Sequence, residues 1–119
     1  MQDFRNLKVW ERAHTLTLDV YKATRSLPRE ELYGLTTQMK RSSASIGANI
    51  AEGCCRKGDC EMGRFLQISM GSASELEYHL LLARDLQMLH SEDYERLAGE
   101  VAEVKRMLSA LIRRLKADS

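Results

Sequence analysis

The sequence predicts an all-α protein, an antiparallel up-down-up-down four-helix bundle, and three observations carry that prediction. Apolar residues recur three and four positions apart through most of the chain, whereas a strand would show a period of two. One proline and seven glycines among 119 residues leave few places to break a helix. The breaks fall near residues 27–30, 54–59 and 89–92, and connections that short make consecutive helices antiparallel neighbours.

The first helix is expected from about Leu7 to Ser26. Trp10, Ala13, Thr17, Val20, Thr24 and Leu27 recur at seam spacing, with Val9 and Leu16 widening the stripe. Pro28 disfavours helical geometry at Leu27 and ends it. The second is expected from about Glu31 to Cys54, with Gly53 as a left-handed end residue. The third starts after Gly58, with Asp59 as N-cap, and reaches about Leu89, roughly 30 residues or ~45 Å at the helical rise. Phe65, Leu66, Ser69, Ala73, Leu76, Leu80 and Ala83 form its seam. The fourth starts after Ser91, another N-cap, and carries Tyr94, Leu97, Val101, Val104, Leu108, Leu111 and Leu115 in unbroken three-four alternation. Its acids gather in residues 92–103 and its bases in residues 104–119, which complements the helix dipole.

Residues 1–119 read as one domain. A chain this long buries roughly two thirds of its unfolded surface and needs no metal or disulfide to hold a core. With 44% hydrophobic and 29% charged residues it is no disordered tail, and a net charge of +1 excludes a histone-like positive field. Met1 to Arg5 lack a basic segment followed by an apolar run, and no 18-residue apolar stretch occurs. A soluble cytoplasmic protein without a membrane partner is expected.

The second and third helices carry too little water-facing surface for a lone bundle. At 100° per residue the second sorts into three stripes. Leu35, Met39, Ile46 and Ile50 are large and apolar; Gln38, Arg41, Ser45, Asn49 and Glu52 are polar; Ala44, Gly47, Ala48, Ala51 and Cys55 are small. Gly47 inside a helix costs about 1 kcal/mol relative to alanine, so a close approach is its expected reason. On the third helix Ile68, Gly71, Glu75, Leu82, Leu86 and Leu89 form a second stripe away from the seam. One bundle cannot bury both stripes, and contiguous exposed apolar surface marks an interface. Self-association is therefore expected through Ala44, Gly47, Ala48, Ala51, Ile68, Gly71, Leu82 and Leu86. The bland alternative is a small-residue surface facing water.

Catalytic and metal-binding arrangements fail on spacing. Cys54, Cys55 and Cys60 lack the two-residue separation of a chelating pair. Glu11 and His14 match one Glu-x-x-His motif of a di-iron bundle, but the second motif is missing. Gly53 and Gly58 mimic the outer glycines of a phosphate loop, yet Asp59 stands at the lysine position and a helix precedes. No serine, threonine or cysteine has an evident base within one helical turn. No enzyme, no metal and no cofactor are expected. Arg41 and Glu75 face each other around the turn near residue 57 and are expected to pair as a register-fixing bridge, within the chain or between copies.

The same residues carry a family resemblance. Phe4, Leu7, Trp10 and Ala13, Leu27-Pro28 with Glu31, Tyr33-Gly34-Leu35, Gln38, Arg41, Ser45-Ile46, Asn49 to Gly53, and Gly71 to Ala73 with Glu75 to Glu77 resemble the four-helix-bundle proteins encoded within intervening sequences of bacterial large-subunit ribosomal RNA genes. Two departures stand out: Gly47 where the family often has proline or another small residue, and Cys54-Cys55 in place of a polar pair. The resemblance implies a cytosolic homopentamer. It also implies kinship with the accessory proteins of diversity-generating retroelements, which associate with nucleic acid and a reverse transcriptase.

Charge gives that expectation a place. Bundle topology gathers Arg5, Lys8, Arg56, Lys57, Arg113 and Arg114 at one end, where nine cations face six carboxylates, a net +3; the opposite end nets −1. The expected function is a non-enzymatic homo-oligomeric scaffold or adaptor whose partner is RNA or a ribonucleoprotein. The alternative is a purely protein-protein interaction module. A small-molecule bundle would need an internal cavity lined by the polar stripe Gln38, Arg41, Ser45, Asn49, Glu52 and Glu75.

Overall fold

The expected seams close on one another. The computed structural model describes residues 3–118, and in it four helices, α1 (Lys8–Ala23), α2 (Leu35–Cys54), α3 (Asp59–Asp85) and α4 (Ser91–Asp118), follow in order with no strand among the described residues. They pack antiparallel into a rod of 46 × 22 × 20 Å, with α2 against α3 the most extensive contact. Leu16, Met39, Ile46, Ile50, Leu66, Leu76, Leu80, Leu97 and Leu108 are fully buried along its axis. Full burial of one such side chain is worth about 1.5–3 kcal/mol, so the periodic stripes dominate the stability. Hydroxyls tie the helices: Thr17 Oγ1 donates to Ser43 O at 2.9 Å, and Ser69 Oγ to Ile46 O at 2.8 Å.

The ends differ from the sequence reading, each for a local reason. The first helix ends at Ala23 and tightens into a 3-10 turn at Thr24–Ser26 before Leu27-Pro28 extends. The second starts at Leu35 rather than Glu31, because residues 29–31 form a separate 3-10 turn and Gly34 (φ −116°, ψ −110°) breaks the path. Glu31 then caps the new start, its Oε1 accepting from the Leu35 N–H at 3.2 Å. Asp59 is the first residue of α3 rather than its cap, and still places its charge at the positive helix end.

Two corrections concern turns. Gly53 is not left-handed: it lies inside α2, where a Cβ would stand 3.1 Å from Phe65 Cβ and 3.3 Å from Met62 O. It allows α2 and α3 to converge, and the left-handed turn residue is Gly58, at φ +86°. The third helix ends at Asp85 rather than Leu89. Gln87 adopts φ +61°, its N–H bonding Arg84 O while the Met88 N–H bonds Ala83 O, both at 2.9 Å. That is the paired pattern of a Schellman cap with glutamine where glycine is usual. Leu89, expected on the outer stripe, folds back from this turn into the core, 5% exposed.

Candidate functional site

The polar stripe of α2 lies on a groove rather than an internal cavity. Gln38, Arg41, Ser42 and Ser45 line it from α2, and Ser72 and Glu75 from α3, around about 340 Å³. Ser45 and Ser72 hydroxyls meet at 2.8 Å, and Asn49 Nδ2 donates to Ser45 O and Oγ at 2.9 and 3.0 Å. No buried side-chain polar atom among the described residues lacks a partner. Arg41 and Glu75 share the groove, but the expected bridge does not form within the chain. Glu75 Oε2 lies 3.8 Å from His79 Nε2, and Ser42 Oγ lies 3.4 Å from His79 Nδ1. Arg41 is exposed and forms no ion pair among the described residues. Glu52, the last member of the stripe, bonds Arg56 at 3.3 Å.

Beside this groove an uncharged face is open. Ala44, Ala48 and Gly71 are exposed, with nothing within 4 Å of a Cβ built on Gly71. Ile68 is 41% and Leu86 51% exposed. Three expected members of the face differ in surroundings. Gly47 lies under α1, where a Cβ would stand 3.4 Å from Trp10 Nε1. Leu82 packs on the core of its own bundle, and Ala51 is half-buried.

The basic end assembles as the topology requires, with unequal side chains. Lys8 and Arg114 line one groove between α1 and α4, of about 300 Å³, together with Arg106. Lys8, Lys57, Arg113 and Arg114 form no ion pair among the described residues. Arg5 and Arg56 are engaged, bonding Asp3 and Glu52 at 3.2 and 3.3 Å. Phe65, expected in the seam, is instead half-buried at this end, with Arg56 and Arg64 over its ring at 5.0 and 4.6 Å from the centroid. Met62 and Leu66 occupy the core beside it. Spacing alone assigns Phe65 inward, but its Cβ lies at the close approach of the two helices, 3.1 Å from where a Gly53 Cβ would stand.

A carboxylate cluster on the α1–α4 side escaped the sequence reading. The Arg96 guanidinium lies 3.7 Å from Asp19 Oδ2, 3.8 Å from Glu100 Oε2 and 3.1 Å from Asp93 Oδ1. Burial and then the hydrogen bond with Asp19 and its charge push the Glu100 carboxyl from 4.5 to about 7, against Arg96 and Arg12. The one sequence signal was the place of Glu100 directly before the seam residue Val101, which draws it to the core edge. Among the cysteines, Cys54 is buried and its thiol is pushed up, chiefly by that burial, the opposite of what a nucleophile needs. His14 stacks on Trp10, ring centroids 4.9 Å apart, and no cluster of three potential metal ligands occurs among the described residues.

Fold and surface define a small antiparallel four-helix-bundle protein, and no helix among the described residues is long and apolar enough to cross a membrane. Residues 5–110 match the family model of the 23S rRNA-intervening sequence proteins. The chain belongs to that family. Its fold is similar to the crystal structure of a protein with unknown function from the S23 ribosomal protein family of Bacteroides thetaiotaomicron VPI-5482. That chain is 25% identical with a TM-score of 0.82, over 88% of this chain and 95% of that one. No curated protein matches this sequence, and the matches indicate no enzymatic family.

Proposed function

We propose that the protein is a non-enzymatic homo-oligomeric scaffold, a pentamer by family resemblance, that carries RNA or a ribonucleoprotein at its basic end. The observation that supports this best is the open uncharged face of Ala44, Ala48, Gly71 and Ile68, since a second copy is the simplest cover for a surface without charge. Arg41 and Glu75, unbridged within the chain, stand beside that face to pair between copies. A ring repeats Lys8, Lys57, Arg113 and Arg114 and multiplies a modest local charge. Ala48→Arg should lower the assembly state without loss of helical content, which size exclusion with circular dichroism reads. Arg113→Glu with Arg114→Glu should weaken RNA retention across sequences while the assembly persists, and wild-type affinity should fall with salt by a slope of about 0.7 per single-strand phosphate contact. A specific observation favours the second reading, a purely protein-binding module: Arg5 and Arg56 are already committed to carboxylates. No RNA retention at about 50 mM salt, where phosphate contacts are strongest, would leave that reading alone.

A further inference from the structure

The end of the bundle opposite the basic one nets −1 when its charges are summed around the rod, but the charges are sorted by side. On the α3–α4 side Arg84 bonds Asp85 at 3.0 Å and Arg96 bonds Asp93 at 3.1 Å, so those cations are spent. On the α1–α2 side a groove of about 310 Å³ runs between the end of α1, the Leu27-Pro28 connection and the first turns of α2. Arg25, Arg29 and Lys40 line it, and no carboxylate does. None of the three forms an ion pair among the described residues. Lys40 leans over the Tyr21 ring, 5.0 Å from its centroid.

The helix ends around the groove are satisfied within the chain. The negative end of α1 is quenched by its own hydroxyls, Thr24 Oγ1 donating to Tyr21 O and Ser26 Oγ to Ala23 O, both at 2.9 Å. Thr36, in the first turn of the 20-residue α2, lines the groove, but the Glu31 carboxylate already caps that helix start, so the attraction for an anion rests on the three cations. Three cations without an ion pair among the described residues, gathered around one concavity, make a field that a phosphate group answers well.

We propose that this groove is a phosphate-ester site, with Arg25, Arg29 and Lys40 as its anion-binding residues. It goes beyond the reading above, whose cations lie at the other end of the rod. The same chemistry is presented by a nucleotide and by the backbone of a single strand, and two probes separate them: uridine triphosphate and a short fluorescein-labelled oligouridylate. Both are titrated into the intact assembly at about 50 mM salt, with wild type, Arg25→Gln/Arg29→Gln/Lys40→Gln, and Arg113→Glu/Arg114→Glu compared. Arg25 and Arg29 are exposed and Lys40 is half-buried, and an unchanged melting temperature establishes that the triple variant folds.

The triple variant should lose about tenfold or more in affinity for at least one probe, and Arg113→Glu/Arg114→Glu should leave uridine triphosphate binding as it was. Loss confined to uridine triphosphate identifies a nucleotide site; loss that includes the oligouridylate identifies a strand site. If the triple variant binds both probes as tightly as wild type, or wild type binds neither, the proposal is overturned. Oligouridylate binding that falls only with Arg113→Glu/Arg114→Glu overturns it too, while sustaining the reading at the basic end.

Discussion

Gln87 holds the left-handed position of the α3 cap that glycine would adopt without steric cost. Gln87→Gly should therefore raise unfolding free energy by about 0.5–1 kcal/mol, visible as a higher melting temperature. Gly53 predicts the opposite sign. An added methyl meets a backbone carbonyl at 3.3 Å and Phe65 Cβ at 3.1 Å, neither the far end of a flexible chain, so Gly53→Ala should cost about 1–3 kcal/mol by denaturant titration. Gly99→Ala, with nothing within 4 Å of the new methyl, is the control and should be neutral or stabilising. Arg41 shows where residue logic needed the third dimension. Turn arithmetic set it level with Glu75, and both line one groove, but Glu75 stands against His79 instead. An exposed Arg41 without a carboxylate makes Arg41→Met worth less than about 1 kcal/mol in the isolated chain, far below a buried pair.

At the scale of elements, the α4 stripe was legible because Leu97, Val101, Val104, Leu108 and Leu111 keep one period for four turns and all are buried. Helix ends were not, because they depend on single conformations such as Gly34 and Gln87 that leave no periodic trace. Phe65 and Leu89 failed in the same way: spacing assigns a residue to a face, while neighbouring backbone decides whether that face is covered. The α1–α4 contact, where Asp19 meets Glu100, carries its own pH dependence. The Glu100 carboxyl is raised from 4.5 to about 7 on folding, so the native state binds the proton more tightly than the unfolded chain. Its favourable contribution is complete below about pH 4.5 and is lost as pH rises to about 7. Glu100→Gln should flatten this stretch of the stability profile. Because water reaches the cluster, the gain over wild type at about pH 8 should be about 1 kcal/mol rather than the full shift. Chemical denaturation across that pH range measures it, and parallel profiles for the two proteins would contradict it.

The whole molecule poses the question its parts leave open, why a rod with a closed core keeps an open uncharged face. The sequence made that face legible, since Ala44, Ala48 and Gly71 stand where a surface helix would place charge. It could not make the Arg25–Arg29–Lys40 groove legible, because summing charge around one end cancels opposite sides. Further copies of this chain are expected to cover the α2–α3 face. Multi-angle light scattering of the wild-type protein from low micromolar concentration upward tests it most directly. The expected result is a concentration-independent mass of about five times that of the chain, as a closed ring requires, falling for Ala48→Arg. A wild-type mass equal to one chain across that range would contradict it.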